Sequence, residues 1–66
     1  MYYRREQQED RTWVTTHITK EEWIAAATAA PLYNQRSKTV QQGTVWFKEI
    51  EIWVSRKVRL IWMYEI

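Results

Sequence analysis

The closing stretch Glu49–Ile66 reads EIEIWVSRKVRLIWMYEI. Ile50, Ile52 and Val54 alternate with Glu49, Glu51 and Trp53. After Ser55, Arg56 and Lys57, the residues Val58, Leu60, Trp62, Tyr64 and Ile66 alternate with Arg59, Ile61, Met63 and Glu65. Period-two alternation on both sides of a short polar break predicts a β-hairpin. With Ser55–Lys57 as its loop, Val54 faces Val58, Ile52 faces Leu60 and Ile50 faces Trp62. Slipping by one residue would bring Arg59 beside Val54, so the apolar pattern specifies the register. The loop lacks Gly, Asn and Asp, which predicts three to five residues rather than a tight primed turn.

The even face, Ile50, Ile52, Val54, Val58, Leu60 and Trp62, is the expected core. The odd face holds Val45, Phe47, Glu49, Glu51, Trp53, Arg59, Ile61 and Met63. That is more apolar than a solvated face needs to be, and a monomer seldom leaves such a patch uncovered.

Moving toward the N-terminus, Thr44 begins the β signal, and the only glycine, Gly43, marks a turn or bulge. Leu32–Gly43, LYNQRSKTVQQG, is polar and reads as a long loop. The segment before it carries the sharpest local signal. Thr19 and Glu22 have the spacing of a capping box, in which each side chain accepts from the other's backbone N–H. Glu21 and Glu22 complement the positive end of the helix dipole. Five alanines follow, and Pro31 ends the helical geometry. The expected helix runs from Lys20 to about Ala29, with Trp23, Ile24, Ala27 and Ala30 or Pro31 as its apolar stripe. Its small residues suit close packing on a sheet as well as helix pairing.

Arg11–Ile18 is rich in β-branched and aromatic residues and reads as a strand. Val14, Thr16 and Ile18 share one face, with Trp13, Thr15 and His17 on the other. The first ten residues, MYYRREQQED, read as a flexible or helical arm. Their Tyr2-Tyr3-Arg4-Arg5 start could reach into a groove, though a frayed terminus is the plainer reading. The expected fold is therefore α+β: an N-terminal arm over 1–10 and a single small domain over 11–66. That domain is a three-stranded antiparallel sheet in β-α-β-β order, with one helix on one face.

Sixty-six residues form at most one domain. A chain of this size buries only about 60% of its unfolded surface, and such domains often lean on a staple or a second subunit. The absence of cysteine excludes disulfides and thiolate metal sites. A single histidine cannot build a zinc site alone, and no cofactor is expected. What remains is a dense aromatic core, from five Trp, four Tyr and one Phe, or a homodimer. No apolar run approaches the ~18 residues of a membrane span. Nor does the N-terminus carry the apolar region of a signal peptide. A cytoplasmic location is expected.

Catalytic constellations are thin. His17 with Glu21 or Glu22 has the makings of an acid–base pair, but capping accounts for the glutamates and no Ser, Cys or Asp completes a triad. Glu49 and Glu51 share a face, yet paired carboxylates need a cleft to do glycosidase chemistry, so cross-strand charge balance explains them better. Gly43 stands alone and makes no phosphate-cradling loop. The expectation is a small non-enzymatic interaction, inhibitor or regulatory module. It would act through the aromatic odd face as a homodimer, with Phe47, Trp53, Ile61 and Met63 as the partner-interface anchors.

The charge distribution supports a second expectation. The formal net charge is +2, but residues 1–35 sum to −1 and residues 36–66 to +3. A nucleic-acid-binding regulator, on DNA or RNA, would use Arg36, Lys38, Lys48, Arg56, Lys57 and Arg59 on phosphates, with Trp46 or Trp53 stacking on bases. The plainer reading of the basic tip is a solvated hairpin end, with Arg59 stacked on Trp53 across the strands.

Overall fold

The computed structural model describes residues 1–55 and 58–66, so Arg56 and Lys57 lie outside the described residues. The strands are β1 (Tyr2–Gln7), β2 (Trp13–Ile18), β3 (Asn34–Gln42), β4 (Val45–Trp53) and β5 (Arg59–Glu65). Between β2 and β3 run the helix α1 (Lys20–Ala29) and a 3-10 turn (Ala30–Leu32). The five strands form one sheet in the order β2-β1-β5-β4-β3, every neighbouring pair antiparallel.

The expected three-stranded sheet is thus corrected to a five-stranded one, and two segments account for the difference. Tyr2–Gln7 is not an arm but an inner strand, paired on one side with β2 and on the other with β5. Hydrophobic alternation hides it because arginines stand where apolar residues would. Arg4 lies 5.7 Å from the ring centre of Trp62, and Arg5 lies 5.1 Å from that of Trp13. Their guanidinium groups stack on indole rings, and that of Arg4 also donates to Glu6 at 2.7 Å. Leu32–Gly43 is likewise not a loop, since Asn34–Gln42 pairs with β4 over nine positions. An outermost strand exposed on both faces has no buried side to impose a period, so it reads as polar. Gly43, at φ +64°, is the first of two residues joining Gln42 to Val45. A glycine there is what a tight hairpin turn of the primed kind requires.

The hairpin and helix follow the sequence pattern. Ile50 is opposite Trp62 and Ile52 opposite Leu60, and the Val54 N–H donates to the Val58 carbonyl at 3.1 Å. Thr19 caps α1 with both bonds of the capping box. Its Oγ1 accepts from the Glu22 N–H at 3.1 Å, and a Glu22 carboxylate oxygen accepts from the Thr19 N–H at 3.2 Å. The helix docks through Trp23, whose ring meets Tyr64 edge-on at 4.6 Å and Tyr2 at 6.2 Å. Trp23, Ala27 and Trp62 pack around Ala30, Ile50 and Ile52, which form the core under the helix. Ile24 points away and is exposed, as are Val54 and Val58 near the hairpin end, which corrects their placement in the core. The helix meets β1 and β5, so the ends of β4 and β5 beyond it go uncovered.

Candidate functional site on the open face of the sheet

Strand register sorts the side chains of the uncovered face. From β2 to β3 these are Trp13, Thr15 and His17; Tyr3, Arg5 and Gln7; Arg59, Ile61, Met63 and Glu65; Phe47, Glu49, Glu51 and Trp53; and Arg36, Lys38 and Val40. A flat sheet would hold its two outer strands roughly 19 Å apart, four spacings of ~4.8 Å. Yet Thr15 of β2 and Gln42 of β3 line the same hollow of about 250 Å³, together with Tyr3, Arg5, Phe47 and Met63. The sheet therefore curls toward its open side. Tyr3 and Phe47, separated by a whole strand, bring their rings to 6.4 Å at a near-perpendicular angle. Tyr3 also meets His17 edge-on at 4.6 Å.

At the other end of the face, Arg59 lies between two indoles. Its guanidinium is 5.6 Å from the ring centre of Trp13 and 5.9 Å from that of Trp53. The same group donates to Glu51 at 2.7 Å. Glu51 is 2% exposed and Glu49 5%. Buried carboxylates are tolerated where a charged partner or some water reaches them. Arg59 serves Glu51, whereas Glu49 makes no hydrogen bond or ion pair among the described residues.

The four expected anchors fall into two pairs. Phe47 and Trp53 are half-buried and accessible. Ile61 and Met63 are 7% and 4% exposed, so they form the floor rather than a contact surface. Tyr3 and Arg5 stand beside Met63 and Ile61 on the same face, and Trp13 stacks on Arg5. Those residues belong to β1 and to the open face of β2. The expected phosphate-binding set also divides. Arg36, Lys38 and Arg59 share the open face, whereas Trp46 and Lys48 lie on the helix side of β4. Arg56 and Lys57 fall outside the described residues.

Among the described residues, no three His, Asp or Glu side chains gather as a metal site, and no helix is long and apolar enough to cross a membrane. His17 is exposed on the open face of β2, while Glu22 is engaged by the helix cap at Thr19. The loop joining β1 to β2 carries one perturbed acid. Asp10 accepts from the Thr12 hydroxyl at 2.6 Å and from the Thr12 N–H at 3.0 Å. These bonds, the hydroxyl's foremost, hold its carboxyl below the ordinary aspartate value. Comparison with protein-family models, curated proteins and solved structures finds no match for this chain.

Proposed function

We propose that the chain is a small non-enzymatic binding module, of the inhibitor or regulator kind, that grips a protein partner on the curled open face of its sheet. One observation carries the reading. Four neighbouring strands bring Tyr3, Trp13, Phe47, Trp53, Arg5 and Arg59 onto a single face that no helix covers among the described residues. Tyr, Trp and Arg are the side chains in which interface energy concentrates. Phe47 and Trp53 remain the anchors of this proposal. Ile61 and Met63 support them from below, and Tyr3 and Trp13 join them at the rim. A homodimer belongs to the same reading, because a chain of this size gains most from burying further aromatic surface. So does the cytoplasmic location.

Light-scattering mass on a sizing column tests it. The wild type is expected at twice its 8.2 kDa chain mass, and Trp53→Ala at the monomer mass with its β spectrum retained. A wild-type monomer, or a Trp53→Ala protein that stays dimeric, would remove the dimer from the proposal.

A second reading rests on the sharing of that face by Arg5, Arg36, Lys38 and Arg59 with two indoles. Such a surface could stack unpaired bases and neutralise phosphates. Glu51 already engages Arg59, and Glu49 and Glu65 lie among the cations, which favours the protein partner. Adding a mixed-sequence oligonucleotide to the same column at low and at moderate salt separates the two. A mass shift that disappears as salt rises would promote nucleic acid.

A further inference from the structure

We propose that the outer edge of β3 accepts an added strand from an acidic, extended segment of another protein. Two independent observations point there. The first is backbone: Asn34–Gln42 pairs with β4 along one side, and among the described residues no strand pairs with the other. Alternate backbone N–H and carbonyl groups on that side are open to a partner's main chain. The second is charge. Arg36 and Lys38 are exposed and stand two residues apart on the open face, and β3 contains no acid.

These two cations lie directly across from Glu51 and Glu49 on the inner side, yet neither carboxylate holds them. Glu51 is taken by Arg59 at 2.7 Å. Arg36 and Lys38 make no ion pair among the described residues. A strand added outside β3 would carry its own carboxylates at alternate positions opposite Arg36 and Lys38. That arrangement repeats outside β3 the Glu-x-Glu spacing that β4 presents inside it. Opposite charges directly across an antiparallel pair are favourable and like charges are not.

The same chemistry argues against a second copy as the occupant. Two β3 edges would set cation against cation. The other free edge, β2, reads WVTTHI and offers no carboxylate. Between the acidic positions the partner's side chains would meet Gln35, Ser37, Thr39 and Gln41, so uncharged polar or β-branched residues fit there. This surface goes beyond the open-face reading and does not depend on it.

The test uses a capped peptide of about eight residues alternating Glu and Thr, with a Lys-for-Glu counterpart as control. At low salt the acidic peptide is expected to bind the wild type, and the lysine peptide is not. Amide hydrogen exchange should slow within Asn34–Gln42 and stay unchanged within Trp13–Ile18. Arg36→Glu with Lys38→Glu should weaken the acidic peptide at least tenfold and transfer binding to the lysine peptide. Should that variant lose its β spectrum, Arg36→Gln with Lys38→Gln must still weaken the acidic peptide.

No binding of the acidic peptide at low salt would overturn the proposal. So would binding without protection in β3, or binding indifferent to the charge swap. Trp53→Ala should leave peptide binding intact, so failure here and failure of the open-face reading are separable.

Discussion

The two faces of this sheet bury their centres equally well by different means. Under the helix, Ile50 and Ile52 are covered by Trp23, Ala27 and Ala30, with Trp62 beside them, in the ordinary manner of a helix on a sheet. On the open face, Ile61 and Met63 are just as buried, and two glutamates with them, although among the described residues no helix or strand lies above. There the cover is the sheet's own curl, together with long side chains from strands two positions apart. A helix excludes water with backbone and small residues. A curl excludes it with rings and guanidinium groups that keep one surface wet. The first kind of core holds the fold, and the second is able to hold the fold while still presenting a surface.

The sharpest way to break that comparison is to cut one large side chain on each side. Ile52→Ala is expected to cost about 3 kcal/mol in chemical denaturation, from lost transfer energy and an unfilled cavity. Met63→Ala on the open face should cost about 2 kcal/mol, because water can fill part of the space left. A Met63→Ala loss under about 0.5 kcal/mol, the range of surface substitutions, would mean the open face is no core at all.

Next in size is the buried ion pair. Arg59→Ala leaves Glu51 without its cation, and should cost about 1–2 kcal/mol. The Arg59 side chain is 40% exposed, so solvent discounts the loss. Adding Glu51→Leu should recover most of it, since removing both charges removes the uncompensated one. A double variant as unstable as Arg59→Ala would show that the indole–guanidinium stack, and not the charge, is what matters.

Gly43→Ala probes the hairpin that attaches the edge strand. A methyl group there meets nothing within 4 Å, so the cost is the left-handed backbone alone, φ +64°. About 1 kcal/mol is expected from thermal unfolding. A neutral result would show that the β3–β4 ladder tolerates a relaxed turn.

The smallest effect lies in the β1–β2 loop. Asp10 titrates below its ordinary value, so its contribution to stability is fully present above the unfolded aspartate pKa of about 4. It is lost as pH falls through the lower folded value. Thr12→Val should move the Asp10 titration, followed by NMR, back up toward the ordinary value. An unmoved titration would mean the hydroxyl is not the cause.

How much of this was legible depended on whether a signal was local. The capping box at Thr19 and Glu22 and the end of α1 before Pro31 stand in the structure where the residues place them, because caps and propensities act within one turn. Alternation in β4 and β5 set their register, because a one-residue slip would bring Arg59 in among the apolar residues of the other face. Two strands escaped. Tyr2–Gln7 replaces apolar residues with arginines whose stems pack and whose heads stack on Trp13 and Trp62. Asn34–Gln42 has almost nothing to bury, since Val40 alone is partly covered. The open face suffered for the first omission. Phe47 and Trp53 are legible as its anchors, but Tyr3 and Arg5 read as part of an arm, and nothing in the sequence joins the Trp13 face of β2 to the closing hairpin.

The sequence by itself determined the helix, its cap, the closing hairpin and the division of that hairpin into two faces. These depend on neighbours within a few residues or on a two-residue period. Tertiary structure alone decided that the terminus enters the middle of the sheet, that a polar run becomes its edge, and that the whole curls until opposite edges line one hollow. Those outcomes rest on backbone pairing between distant segments and on side chains packing by their stems, and neither leaves a periodic trace in the chain.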